Sequence, residues 1–95
     1  IKHIGKYRFI EGTVKKTYKT NKAVYLDFGD NPDEDFSVVV FNRDHSRFQE
    51  KGIDLVNYYT GKKVIVYGKI NLYRGAEIII SFPEDIQSAA DFEPW

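Results

Sequence analysis

Charge is segregated along this chain, and the segregation is its first chemical signal. Residues 1–22 carry Lys2, Lys6, Arg8, Lys15, Lys16, Lys19 and Lys22 against Glu11, and residues 62–77 carry Lys62, Lys63, Lys69 and Arg74 against Glu77. Between them, residues 27–35 hold Asp27, Asp30, Asp33, Glu34 and Asp35 with no base, and the end of the chain holds Glu84, Asp85, Asp91 and Glu93. The 14 basic and 14 acidic residues cancel to a formal net charge of zero, so positive charge belongs to two segments rather than to the whole molecule. A fold that joined those segments would build a basic patch suited to a polyanion.

Other chemistries find less material. Cysteine is absent, which removes disulfides, thiolate metal sites and cysteine nucleophiles. His3 and His45 are the two histidines, too few for the common zinc constellations. The run Asp44-His45-Ser46 has the residue types of a nucleophilic triad, but a triad needs side chains that converge in space, and neighbours in sequence do not. The acidic run Asp30-Asn31-Pro32-Asp33-Glu34-Asp35 offers oxygen ligands. It lacks the order of a calcium loop, because Pro32 stands where a ligand belongs and no glycine or closing glutamate follows at the right distance. The expectation is a solvated turn, no metal, no cofactor and no enzyme.

The elements that would position these residues are mostly strands. The chain has 95 residues, one domain's worth, and its 16% aromatic content argues for a packed core. Alternation of period two runs through Tyr7 to Thr17, with Ile10, Gly12 and Val14 on one face and Phe9, Glu11, Thr13 and Lys15 on the other. Gly12 inside this strand predicts a bend or bulge. Thr20-Asn21-Lys22 predicts a turn. Ala23 to Phe28 follows as a second strand and Asp35 to Asn42 as a third. Arg43 to Tyr59 loses the alternation and predicts one or two short helical pieces near Phe48, capped by Asp44 or Ser46 and interrupted by Gly52. Lys63 to Ile70 and Ala76 to Phe82 resume as strands four and five around a loop at Asn71-Leu72-Tyr73-Arg74-Gly75, and Pro83 ends the last. Residues 88–95 predict a loose acidic tail after a domain of residues 1–87. No apolar run approaches the ~20 residues of a membrane span, and no signal peptide is visible. A chain opening at Ile1 is expected to be a processed product or a domain of a longer protein, and nothing in it points to a compartment.

Three strands, a helical connector and two more strands is an order with a known counterpart. Gly5-Lys6-Tyr7 through Glu11-Gly12-Thr13-Val14, Val24-Tyr25-Leu26-Asp27-Phe28-Gly29-Asp30, Asp35-Phe36-Ser37-Val38-Val39-Val40-Phe41, Gly61 through Ile70 and Tyr73-Arg74-Gly75-Ala76-Glu77-Ile78-Ile79-Ile80 resemble the five strands of OB-fold nucleic-acid-binding domains, and Pro83-Glu84-Asp85-Ile86 resembles their exit from the barrel. The resemblance covers roughly residues 5–87. It implies an all-β, five-stranded Greek-key barrel with the helical connector between strands three and four. Closure of this kind removes the exposed edges that five strands in so short a chain would otherwise present.

The resemblance also implies a binding face on strands two and three, flanked by the loops joining strands one to two and four to five. Alternation then assigns Tyr25, Ser37, Val39 and Phe41 to that face. Tyr18, Lys19 and Lys22 come from the first loop, and Lys69, Tyr73 and Arg74 from the last. Aromatic faces that stack on bases beside cations that track phosphates are what single-stranded DNA or RNA requires. The same fold also serves as a protein-interaction or scaffold module, with Val39, Phe41 and Ile65 as the anchors of that reading. It can bind oligosaccharides through the same rings. In the staphylococcal-type nucleases it carries catalysis, but Arg8, Arg43, Arg47 and Arg74 do not fall in the contexts those enzymes need. The tail Asp91-Phe92-Glu93-Pro94-Trp95 resembles the acidic tips through which single-strand-binding proteins recruit partners.

Overall fold

Alternating burial along the strands sorts the side chains into an inner and an outer set. The computed structural model describes residues 5–29, 36–73 and 75–89, with Tyr73 described at its backbone alone. Its elements are β1 (Tyr7–Thr13), β2 (Lys16–Lys19), β3 (Ala23–Asp27), β4 (Ser37–Phe41), α1 (Asn42–Glu50), β5 (Lys63–Tyr73), β6 (Gly75–Ile79) and β7 (Ile86–Ser88), with a 3-10 turn at Pro83–Asp85 before β7. The protein is therefore mostly β with one short α-helix. Val24 and Leu26 of β3, Val38 and Val40 of β4, Val64 and Val66 of β5 and Ile78 of β6 point inward. There they meet Val14, Phe48, Leu55, Tyr59, Ile80 and Ile86 in one core. The β-branched residues that dominate this set suit a pleated, half-buried surface.

The strands hydrogen-bond in the order β1-β5-β6-β4-β3-β2, and β7 adds to β5. All ladders are antiparallel except β4 with β6. β5 is the spine. One edge pairs with β1 from Lys63 to Lys69; the other pairs with β7 at Val64 to Val66 and with β6 from Lys69 to Tyr73. The two ends of the path, β1 and β2, are consecutive in the chain. Val14 donates to the Lys62 carbonyl and accepts from Gly61 N–H, on the β5 side, while Lys15 donates to the Asp27 carbonyl of β3. The chain changes partner between residues 14 and 15, so the single strand expected from Tyr7 to Thr17 is two.

Gly12 has a different use from the expected bend. A β-carbon there would lie 2.6 Å from Phe28 Cδ2, so the missing side chain makes room for the Phe28 ring. The helix also differs from expectation. It starts at Asn42, directly after β4, without a side-chain cap, and Asp44 lies buried in its first turn against Arg47 and Arg43. Its end follows the expected signal: Gly52, at φ 73°, donates to the Gln49 carbonyl. Ser88 belongs to β7, opposite Val64, rather than to a tail.

Candidate nucleic-acid interface

The outward-facing residues form rows that cross the sheet, because each ladder fixes which side chain faces which. One row runs Tyr18 of β2, Tyr25 of β3, Val39 of β4, Ile79 of β6, Lys69 of β5 and Tyr7 of β1, each in register with the next. It places residues from both cation-rich segments on a common line. Tyr18 and Tyr25 stack with ring centroids 5.2 Å apart and planes 15° apart. At the far end, Tyr67 stacks on Tyr7 at 5.9 Å and meets Phe9 at 4.7 Å.

The face expected from the sequence is thus partly present and partly covered. Tyr25 is half-buried and Tyr18 is exposed. Phe41 is half-buried, with the Arg43 guanidinium carbon 5.5 Å from its ring centre. Val39 and Ser37 are corrections. Val39, in register between Tyr25 and Ile79, is 2% exposed. Ser37 is buried, and its hydroxyl donates to Asp27 Oδ1 at 2.7 Å. Lys69 is exposed in the central row, and Lys22 is exposed at the turn before β3. Lys19 is exposed too, but on the opposite face of β2 from Tyr18. The Tyr73 side chain, Arg74, His3, the acidic run 30–35 and the tail from Asp91 to Trp95 lie outside the described residues.

Sequence reasoning missed the β1–β5 cluster. Phe9 is 69% exposed and Tyr7 57%, large values for aromatic rings. With Tyr67, Phe82 and Lys69 around it, Tyr7 lines a cleft of about 340 Å³ that continues over Ile79 to Asn71. Arg47 crosses from α1, its guanidinium carbon 4.5 Å from the Phe82 ring centre. The signal was available: alternation puts Tyr7 and Phe9 on one face of β1, and Tyr67 with Lys69 on one face of β5. What joins them is the register Phe9 opposite Tyr67 and Tyr7 opposite Lys69.

A second row lies one step along the strands: Lys16, Asp27, Ser37, Glu77 and Asn71. Asp27 is fully buried, and its Oδ2 has no hydrogen-bond partner. Burial, and then the charge of Asp27, push the Glu77 carboxyl above the usual carboxylate range. Among the described residues no three His, Cys, Asp or Glu side chains gather as a metal site. Asp44 is engaged with the two arginines. No described helix is long and apolar enough to cross a membrane.

The arrangement offers flat rings, an apolar floor at Ile79, a cation between two aromatic ends, and the half-buried Glu77 carboxylate alongside. No protein-family model matches the chain, and no curated protein matches it.

Proposed function

We propose that this chain is a non-catalytic OB-type module that binds single-stranded nucleic acid across its outer face. In this reading β1 and β2 count as one bent strand, which makes β1/β2, β3, β4, β5 and β6 a five-stranded Greek-key barrel. The partner change between Val14 and Lys15 supports that count, because it joins the two ends of the ladder path through the chain itself. The helix between β4 and β5 supports it as well, since the OB resemblance expects the connector there.

The observation that carries the ligand is the outer row with aromatic pairs at both ends and Lys69 within it. Each base stacked on a ring is worth roughly 1–3 kcal/mol, whatever its identity, and cations then hold the backbone. Titration of fluorescent (dT)12 and (rU)12 at low salt tests the reading. Binding in the micromolar range or weaker is expected, falling steeply as salt rises through counterion release. Tyr18→Ala with Tyr25→Ala, and separately Tyr7→Ala with Tyr67→Ala, should each weaken binding at least tenfold. A folded protein that binds neither strand refutes the module as a nucleic-acid binder.

A second reading, a protein-interaction module, is favoured by Phe9. Its exposed ring borders a shallow depression over Ile10, Glu11 and Ile65, where Glu11 lies 3.6 Å from Lys63 and leaves little net charge. Failure of both oligonucleotides, with self-association or partner binding lost on Phe9→Ala, would favour this reading.

A further inference from the structure

A half-buried carboxylate, Glu77, beside a track for a polyanion needs an explanation, because phosphates avoid it. Glu77 sits in register between Ser37 and Asn71, one step along the strands from Ile79, Val39 and Lys69. It is half-buried at the edge of the apolar floor, where the cleft that holds Tyr7 and Lys69 reaches Asn71. Behind it lies Asp27, wholly buried, with Oδ2 unmatched by any donor. The charged and polar groups facing this pair from the described strands are Lys16 of β2, Ser37 of β4 and Asn71 of β5. Of these, Ser37 donates to the other Asp27 oxygen. Glu77 is therefore the half-buried acceptor of this row, beside an Asp27 carboxylate that is itself sealed from a ligand.

Resting on the nucleic-acid reading above, we propose that Glu77 is the base-reading residue of this face and selects guanine through its Watson–Crick edge. In a single strand that edge is open to side chains. Guanine presents two adjacent donors there, N1–H and the N2 amino group, which a carboxylate accepts with both oxygens. Thymine presents one imino donor between two carbonyl oxygens, and those oxygens repel a carboxylate. Partial burial strengthens the choice: an acceptor already stripped of some water, with a second negative charge beside it, gains more from a neutral donor than a solvated carboxylate does. Phosphates then run on the Lys69 side and bases point toward Glu77. Discrimination by a paired contact of this kind is on the order of tenfold or more.

Three 12-mers test it by fluorescence anisotropy at one salt concentration: (dT)12, the same strand with two central guanines, and that strand with inosine in place of guanine. The wild-type chain should bind the guanine strand roughly tenfold more tightly than (dT)12, and inosine, which lacks the N2 amino group, should lose most of that gain. Glu77→Gln removes a negative charge, so (dT)12 should bind somewhat more tightly while the guanine advantage falls below about twofold. Equal binding of the three strands by the wild type, or a guanine advantage that survives Glu77→Gln, overturns base reading and leaves the module reading standing. If none of the strands binds, the module reading fails and this inference falls with it. The inosine arm needs no protein variant, so a folding defect in Glu77→Gln would not blunt the test.

Discussion

The Phe28 ring lies against the backbone of Gly12, so close that a β-carbon at residue 12 would stand 2.6 Å from Cδ2 and 2.7 Å from Cε2. Phe28 is half-buried and has some freedom to swing, so Gly12→Ala should fold with a loss of about 1–3 kcal/mol, the usual range for overpacking. Urea unfolding followed by fluorescence measures the loss. Adding Phe28→Leu should recover part of it; no recovery would mean the ring is not what Gly12 accommodates.

Gly68 is less forgiving. A β-carbon there would meet the Ile79 carbonyl oxygen at 2.8 Å and Ile78 Cγ1 at 2.9 Å, and the first belongs to backbone in the neighbouring strand. A side chain can rotate away but a ladder cannot. Gly68→Ala should therefore cost more than Gly12→Ala, at or beyond the upper end of about 1–3 kcal/mol. The ordering of the two urea midpoints is the check.

Arg47 holds three things at once: the buried Asp44 carboxylate, the Ser81 carbonyl at 3.5 Å and the Phe82 ring. Arg47→Ala leaves Asp44 with Arg43 at 3.6 Å as its remaining cation. Breaking a fully buried pair costs about 3–5 kcal/mol, and solvent reaching the arginines reduces this, so about 1–3 kcal/mol is expected. Removing Asp44 as well should return some of the loss, which a double-mutant cycle would register.

How far the sequence could be read depends on which physical rule applied at each residue. Period-two alternation puts Val24 and Leu26 on the opposite face from Tyr25, Val38 and Val40 from Val39, and Val64 and Val66 from Ile65, and these are the residues the hydrophobic effect buries. It located the connector, because Phe48 and Gly52 break that period. It did not predict that Val39 and Ser37 would be covered. Alternation assigns a face, whereas exposure depends on neighbours from other strands, here Tyr25, Ile79 and Asp27. The Tyr7–Phe9–Tyr67 cluster escaped for the same reason. Tyr67 lies far in sequence from Tyr7 and Phe9, and only the β1–β5 register brings it to them. The split between β1 and β2 is likewise a choice of partner, invisible in the residues of one strand.

Tyr59 supplies a pH test. Burial, and then the neighbouring Tyr58 phenol, push its pKa up to about 12 from an ordinary value of 10.0. The folded state therefore favours the neutral phenol. Its share of stability is full below pH 10, declines as pH rises toward 12, and is absent above. In a spectrophotometric titration Tyr59 should ionise at about 12 rather than at the ordinary value of 10.0. Tyr59→Phe should remove that late component and soften the alkaline loss of stability.

Glu77 has the same sign at a lower pH. Its folded-state pKa is raised, so the native protein binds the proton more tightly than the unfolded chain does. Stability must then fall as pH rises from the ordinary carboxylate value of 4.5 to the raised native one, and the deficit persists at neutral pH. Glu77→Gln should raise the urea midpoint at pH 7 and lose that advantage near pH 4. A midpoint difference that does not change with pH would show that the carboxylate's charge is not the source.

Val66 lies between Ile10 on one side and Ile86 on the other. β5 is thus completed by segments that precede and follow it at long distance in the sequence. A ribosome must deliver residue 86 before Val66 has both neighbours, so a nascent chain stalled earlier should expose an unfinished edge to chaperones. The rate of folding should be governed by these distant segments finding β5 rather than by any local turn.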